Sequence, residues 1–265
     1  MENKEIVFKG MVLNGIMMLV LVILSFLVSV GLFVMGCIYL DWWWFAAGAL
    51  LFVASIIAAC GFFQLEPGEA RVIMFFGKYR GTFSKAGFHW VNPFYNTKKL
   101  SLRARNLDAD PIKVNDKSGN PVMIGLVLVW RLKDTYKAMF EVDTQTMAAA
   151  RMGATEVGGA SAAVIMNALQ NFVRIQADAA LRQVAGQYAY DNEDNEKEIT
   201  LRDGSDEINK ELETKMDERL AMAGIEVVEA RINYLAYAPE IAAVMLRRQQ
   251  ASAIIAAREK IVEGA

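Results

Sequence analysis

Two uninterrupted apolar runs near the N-terminus constrain the fold of this chain more than any other feature. The first run, Gly10 to Leu40, has 31 residues and the second, Trp42 to Leu65, has 24, and neither contains a charged residue. About 20 apolar residues are enough to cross the hydrocarbon core of a bilayer, so each run is long enough to span it alone. The sequence therefore predicts a two-helix transmembrane hairpin over residues 10–65, preceded by a short tail of residues 1–9.

A single charge and three tryptophans separate the two runs. Asp41 is the only charged residue between them, and Trp42, Trp43 and Trp44 follow it directly. A charge at the bilayer centre costs about 2.5–3.5 kcal/mol, and indole rings favour the headgroup layer. We therefore expect these four residues to lie at a membrane interface, with the chain turning back near residues 37–44. Run length alone leaves open a hairpin buried in a larger assembly or a re-entrant element.

The basic residues predict the orientation of the hairpin. Two spans place the tail and everything from Glu66 onward on one side of the membrane. Arg71, Lys78 and Arg80 follow the second run, whereas the connecting loop has no Lys or Arg. Because basic residues near a span end favour the cytoplasmic side, we expect a multi-pass protein of the cell membrane with a cytoplasmic soluble domain. The same three cations are candidates for attracting anionic lipid headgroups.

Composition and motifs give no support for catalysis. Neither apolar run contains the ionisable groups that usually mark a transport pathway, so we expect the spans to act as anchors. His89 is the only histidine, which excludes an H-E-x-x-H site, and the only Gly-Lys pair lacks the rest of a phosphate loop. A net charge of −2 does not favour nucleic-acid binding. We therefore expect no enzyme activity, cofactor or metal site, and a packed, structural role for His89.

The chain from Glu66 to Ala238 is patterned as a soluble domain that begins with strands. Pro67-Gly68 predicts a turn, Ala70–Phe76 a strand and Gly77–Gly81 a loop. The clearest hairpin has its turn at Asp116–Asn120, and the apolar residues at the other positions of its return strand predict that both faces are covered. Every second residue of that strand is large and apolar: Val122, Ile124, Leu126, Leu128, Trp130 and Leu132.

Helical patterns follow the strands. The segment Thr144–Tyr190 is helical and rich in small residues, with Leu181, Val184 and Tyr188 on one apolar face. The acidic stretch Asp191–Glu207 predicts a solvated loop. A second helix starts near Ser205 and ends before Gly224, where a returning strand begins. Its apolar face repeats every four residues, at Ile208, Leu212, Met216 and Leu220. The order strands, helix, helix, strand indicates an α+β domain.

An ordered series of segments in this domain resembles the SPFH superfamily, which groups stomatins, prohibitins, flotillins and the HflK/HflC pair. The resemblance is carried by "EPGEARVIMFFGKYRGTFSKAGFHWVNPF", by the later "GIEVVEARINYLAYAPEIAAVMLRRQQASAIIAAREKIVEGA", and by their separation. It covers Gln64 to Ala265, with the preceding hairpin in the anchoring role. It implies a compact α+β SPFH domain (66–238), a long coiled-coil-like helix, large homo- or hetero-oligomers and scaffolding at membranes.

One segment departs from the family pattern. Residues Thr144 to Gln170 make a longer link before the first domain helix than the resemblance leads one to expect. We expect a small-residue helix that packs on the domain or on a neighbouring subunit, with a membrane-surface segment as the alternative.

The C-terminal segment, residues 239–265, is interpreted as the start of an oligomerisation helix. Pro239 stands where a helix can begin without losing a hydrogen bond. Side-by-side copies of the helix would bury its apolar residues and pair its charges at the rim, whereas the alternative is a helix folded onto its own domain. The candidate interface residues are Ile254, Ile255, Arg258, Glu259, Ile261 and Val262. The pattern is still running at Ala265, which leaves open whether the chain continues.

These expectations favour a membrane-anchored scaffold that forms a ring or cage around a membrane microdomain. Its expected partners are membrane lipid and further copies of itself, with membrane proteases and other membrane proteins as additional candidates. The alternative function is a regulatory subunit of a membrane protease or channel, present at a small fixed stoichiometry.

Overall fold

The computed structural model describes residues 5–142, 162–191, 199–202 and 205–264, and the chain forms two compact units. Among the described residues, the first unit consists of the chain up to Arg103, Asp134–Phe140 and residues 162–166. The second contains Ala104–Lys133 and the chain from Asn167 onward. Helices are combined with three three-stranded sheets, which confirms the predicted mixture of helix and sheet.

The first unit contains an antiparallel helical hairpin that is shorter than the apolar runs. Strand β1 (Leu13–Asn14) precedes helix α1 (Gly15–Tyr39), and helix α2 (Trp42–Ala59) returns beside it. The last apolar residues form strand β2 (Phe62–Leu65) instead of extending helix α2. Phe63 and Leu65 point inward and are 5% and 2% exposed, whereas Gln64 is exposed, which is the alternation of a strand.

Two small sheets complete the first unit, together with the short helix α3 (Thr135–Phe140). One sheet has the order β4-β3-β6, formed by β4 (Lys78–Phe83), β3 (Glu69–Phe75) and β6 (Tyr95–Ser101). In the other sheet, β5 (Gly87–Trp90) lies between β1 and β2.

The prediction of a loop at Gly77–Gly81 is wrong, because β4 already begins at Lys78. Phe75 pairs with Lys78, so Phe76 and Gly77 alone make the turn, with φ angles of 44° and 81°. Two consecutive positive φ angles are typical of the tight hairpin turn that Asn-Gly or Asp-Gly usually occupies. A phenylalanine at the first position gives no such signal in the sequence.

The second unit is built on the sheet β7-β8-β9, formed by β7 (Arg105–Asn115), β8 (Pro121–Leu132) and β9 (Ile225–Tyr237). The predicted turn at Asp116–Asn120 is confirmed, and Asn120 N donates to Asp116 Oδ1 at 2.7 Å. All six alternating apolar residues from Val122 to Leu132 are buried. On the opposite face Met123, Val127 and Val129 are half-buried, so the structure covers the second face only in part.

Three helices complete the second unit: α4 (Ala162–Ala185), of which the part from Asn167 belongs here, α5 (Ser205–Leu220) and α6 (Pro239–Glu263). The predicted apolar face of α5 is confirmed, since Ile208, Leu212, Met216 and Leu220 are all fully buried. After a short 3-10 turn, Gly224 adopts a φ of 65° and leads into β9. In α4, Leu181 and Val184 are buried as predicted, but the half-buried Tyr188 lies in the turn that follows.

Two predicted segments fall largely outside the described residues. Of Thr144–Gln170, the structure describes only residues 162–170, which are helical, and of Asp191–Glu207 it describes residues 191, 199–202 and 205–207.

Side chains of α5 accept hydrogen bonds from backbone N–H groups at the outer edge of strand β9. Ile232 N donates to Asn209 Oδ1 at 3.2 Å, Ala230 N to Glu213 Oε1 at 3.2 Å, and Val227 N to Asp217 Oδ1 at 3.1 Å. The three acceptors recur every four residues, so they form one row along the helix. An unpaired strand edge invites pairing with another chain, and this row occupies the N–H groups that such pairing would use.

We predict that Glu213→Ala destabilises the second unit by about 1–3 kcal/mol, because the Ala230 N–H loses its acceptor. Glu213→Gln keeps an acceptor oxygen and should retain most of the stability. The measurement is denaturant unfolding of the detergent-solubilised protein, with the exposed Thr214→Ala as control. Equal stability of the Ala and Gln variants would show that the hydrogen bond to Glu213 does not stabilise this edge.

Candidate membrane interface

The corner between α1 and α2 is built by the residues that the sequence singled out. Leu40 ends α1 in the left-handed conformation with a φ of 52°. Asp41 is the N-cap of α2, and its Oδ1 accepts a hydrogen bond from Trp43 N at 3.4 Å. Its charge therefore has a local structural role, since a carboxylate stabilises the N-terminus of a helix.

The three tryptophans begin α2 and present their rings outward. Trp42 and Trp43 are 63% and 66% exposed and their rings lie 4.3 Å apart, while Trp44 is 38% exposed. Indole rings at the end of an apolar helix suit the headgroup layer of a bilayer. The geometry is thus compatible with the predicted interfacial position of these residues.

Polar and small residues hold the two helices of the hairpin together. Ser25 Oγ and Ser55 Oγ share a hydrogen bond of 2.8 Å, and Ser29 Oγ donates to Gly48 O at 3.1 Å. Gly36 packs against the ring of Phe45. Close packing of small residues with hydrogen bonds between helices is the usual way in which apolar helices associate in lipid.

The outer surface of the hairpin is apolar on all sides. Only 11% of the most apolar 18-residue window of each helix is buried. The core helix of a soluble protein is buried, so exposure of this extent needs an apolar environment. Both helices are long and apolar enough to cross a membrane.

The described residues before α1, which begin at Glu5, pack on the first unit. Phe8 N donates to Thr82 O at 3.0 Å, and Thr82 N donates to Ile6 O at 2.8 Å. The Phe8 ring is 8% exposed and lies in one cluster with Phe63, Leu65, Ile73, Phe83 and Val91. Residues on both sides of the hairpin therefore share one hydrophobic core.

A chain of hydroxyl groups fixes the same N-terminal segment. Tyr79 OH lies 2.8 Å from Thr82 Oγ1, which lies 2.7 Å from Thr135 Oγ1, and Thr135 Oγ1 donates to Glu5 Oε1 at 2.7 Å. Burial raises the pKa of Tyr79, and its hydroxyl oxygen also accepts a hydrogen bond from Ile6 N at 3.4 Å.

The three predicted lipid-binding cations differ in their surroundings. Arg71 is half-buried, lies 4.6 Å from the centre of the Phe63 ring and donates to Thr97 Oγ1 at 3.2 Å. Burial lowers the pKa of its guanidinium, and its contacts give it a structural role. Lys78 and Arg80 are exposed on β4, with Arg80 5.6 Å from the Phe75 ring, and remain the better candidates for lipid contact.

The C-terminal helix α6 changes its surroundings along its length. Its first half contacts the second unit at a few points: Met245 is buried, Lys113 Nζ bonds Glu240 at 2.6 Å, and Gln249 Nε2 donates to Asp191 Oδ2 at 3.2 Å. Val244 and Leu246 beside Met245 are exposed. The predicted interface residues are in the second half, where Arg258 is exposed and the Glu259 side chain lies outside the described residues. The apolar ones are exposed by 56–78%: Ile254, Ile255, Ile261 and Val262.

The only histidine, His89, lies in a structural environment. His89 packs against the rings of Phe63 and Phe83, 5.8 and 4.9 Å away, and its Nε2 lies 3.1 Å from Lys85 O. Within the described parts of the chain, no three His, Cys, Asp or Glu residues come together as a metal site. Cys37 and Cys60 are free and exposed.

Sequence reasoning missed the residues that join the hairpin to the sheets. Phe8 falls in the segment predicted as an N-terminal tail, although the alternation of Ile6 and Phe8 is a weak strand signal. Gly61 was not singled out, yet a Cβ there would lie 2.2 Å from Val91 O, so only glycine fits between α2 and β2.

We predict that Phe8→Ala lowers the free energy of unfolding of the first unit by about 3–5 kcal/mol, because it leaves a cavity in the shared core. The neighbouring Val7 side chain is 73% exposed, and Val7→Ala should change stability by less than about 0.5 kcal/mol. Thermal unfolding in detergent and protease digestion of the N-terminus measure both. A Phe8→Ala protein as stable as Val7→Ala would contradict the shared core.

Comparison with known proteins agrees with this architecture. The model of the SPFH domain / Band 7 family matches residues 63–264. Protein HflC of Treponema pallidum (strain Nichols) is 22% identical over 214 residues, an alignment that covers 76% of this chain and 63% of HflC. The chain thus aligns with less than two thirds of that relative. Since the family match covers most of the chain, from β2 to the end of α6, the chain belongs to the SPFH domain / Band 7 family.

Proposed function

We propose that the protein is a membrane-anchored scaffold that assembles into a ring or cage and organises a patch of membrane. The helical hairpin is the anchor, the SPFH domain lies on the cytoplasmic side, and the second half of α6 contributes to contacts between copies. Such an assembly would restrict which proteins and lipids enter the patch.

The exposure of the hairpin is the observation that carries this proposal. Large apolar side chains cover both helices, and the buried residues described in α1 and α2 are glycines and serines, which lie at the contact between the helices except for Gly15, beside Phe88. Each exposed Leu, Ile or Phe side chain would gain about 1.5–3 kcal/mol on transfer from water to an apolar environment. The free energy summed over the hairpin strongly favours insertion in a bilayer.

The packing of Phe8 and Phe63 in one core supports the proposed topology. Because one precedes α1 and the other follows α2, both ends of the hairpin are on the same side of the spans. The exposed Lys78 and Arg80 lie close to the end of α2 in sequence, whereas Leu40–Trp44 contains no basic residue. This asymmetry favours the cytoplasm for the domain.

The exposed second half of α6 supports self-association. A single helix with Ile254, Ile255, Ile261 and Val262 in water would be marginally stable, since helical stability in proteins comes mainly from packing. Side-by-side packing of copies would remove these four side chains from water. The first half of α6 is already packed on its own unit, so it fixes the direction in which the second half leaves.

We predict that detergent-free extraction in a polymer disc yields a large homo-oligomer by mass measurement. Ile255→Glu should reduce the mass of the particle, because it places a charge in the proposed contact between copies. Gln250→Glu adds the same charge at an exposed position of the same helix and should leave the mass unchanged. A monomeric wild-type particle would remove the scaffold proposal.

The same extraction separates the scaffold from a regulatory subunit of a membrane protease or channel. A scaffold should assemble when it is produced alone, whereas a subunit should need its partner and co-purify with it at a small fixed ratio. Assembly only in the presence of a partner would favour the second function.

We predict that reporters fused before Met1 and after Ala265 are both active only in the cytoplasm. A cysteine placed at Trp43 in a variant without Cys37 and Cys60 should react with an impermeant reagent only from outside the cell. Labelling at Trp43 from the cytoplasm, or a reporter at Ala265 active outside, would contradict the proposed topology.

A further inference from the structure

An apolar groove lies beside the last turns of α2. Its helical wall is formed by Ala54, Ile57 and Ala58, and the opposite wall by Trp90 and the turn Asn92–Tyr95, with Met11 at the edge. The groove has a volume of about 580 Å³. Ligand-binding sites in proteins usually have volumes of about 300–1,000 Å³, so the groove is large enough for part of a small molecule or a hydrocarbon chain.

Several polar groups that line the groove are already paired with their neighbours. Trp90 Nε1 donates to Ala58 O at 2.7 Å, which removes the only indole donor. Asn92 Oδ1 accepts from Phe94 N at 3.1 Å, and Tyr95 N donates to Asn92 O at 3.0 Å. A groove whose polar groups are paired with each other binds an occupant through apolar contact. Its wall also includes Phe94, which is 63% exposed.

The groove is continuous with the outer surface of α2. Ala54 and Ile57 belong both to the groove and to the exposed apolar face of the helix. They are two to five residues from the end of α2 at Ala59, which corresponds to about 3–8 Å along the helix axis. In a spanning hairpin this is the depth at which the acyl chains of one leaflet meet the headgroup layer, where tryptophan side chains are favoured.

We propose that this groove binds one acyl chain of a phospholipid from the leaflet next to the SPFH domain. The inference rests on the proposed membrane anchorage, because that anchorage places α2 in the bilayer. The small side chains of Ala54 and Ala58 leave room for the chain, and Ile57, Pro93 and Phe94 contact it from the sides. A phospholipid held there joins the anchor to the turn Asn92–Tyr95 through apolar contacts.

Groove-filling variants test the proposal in the full-length protein. Ala54→Leu places a larger side chain in the groove, and Ala49→Leu makes the same change at an exposed position of α2 outside the groove. Native mass spectrometry after extensive detergent washing should detect one retained phospholipid per chain in the wild type and in Ala49→Leu. Retention of phospholipid should fall about tenfold in Ala54→Leu. Displacing two methylene groups of the acyl chain from the groove is enough to weaken binding by this factor.

Fluorescence quenching provides a second measurement that does not depend on retention during purification. With Trp42, Trp43 and Trp44 changed to Phe, the remaining indoles are Trp90 in the groove wall and the fully buried Trp130. Phospholipid with brominated acyl chains should quench Trp90 and leave Trp130 emitting. Adding Ala54→Leu should reduce that quenching, and adding Ala49→Leu should not.

The outcomes separate this inference from the anchorage on which it rests. Equal phospholipid retention and equal quenching in the two leucine variants would overturn the groove, even if carbonate washing leaves the protein in the membrane. Loss of oligomer mass in Ala54→Leu without loss of phospholipid would indicate that a neighbouring copy occupies the groove. That result would also overturn the inference. Release of the wild type by carbonate would overturn the anchorage, and the groove with it.

Discussion

The shared core around Phe8 and Phe63 is the constraint on which the first unit depends. One ring comes from the residues before the helical hairpin and the other from those after it, so α1 and α2 leave and return to the same small sheets. The serine contacts then hold the helices against each other and leave large apolar side chains facing outward. An anchor attached at both ends restricts rotation of its domain more than one attached through a single flexible linker would.

Local periodicity made much of the fold predictable. The alternation from Val122 to Leu132 and the four-residue repeat from Ile208 to Leu220 are properties of single elements, and each is buried as predicted. The strand β2 and the position of Phe8 depend on partners distant in sequence, which a pattern within one segment does not contain. The turn at Phe76-Gly77 is local, but a phenylalanine at its first position gives no turn signal. The corner between α1 and α2 was recognisable from composition, whereas the distinction between the half-buried Arg71 and the exposed Lys78 required the tertiary structure.

In the second unit the edge of β9 is covered by helix side chains, whereas apolar side chains of α6 are exposed. The row Asn209, Glu213 and Asp217 occupies backbone N–H groups of β9, so that strand is poorly suited to pairing with another chain. The exposed apolar side chains from Ile254 to Val262 have no comparable cover among the described residues. This member of the SPFH domain / Band 7 family thus combines a sheet edge covered by helix side chains with a helix whose second half exposes apolar side chains.

The two helices of the hairpin differ in length, and in the proposed membrane-spanning arrangement this difference would have a consequence for the bilayer. With 18 residues, α2 is about 27 Å long, whereas α1 with 25 residues is about 37 Å. A hydrocarbon core of about 30 Å is slightly too thick for the shorter helix, and the longer one must tilt to fit. The bilayer beside α2 would have to become thinner locally. Many hairpins gathered together would therefore favour a thin region of membrane over one thickened by long, saturated chains.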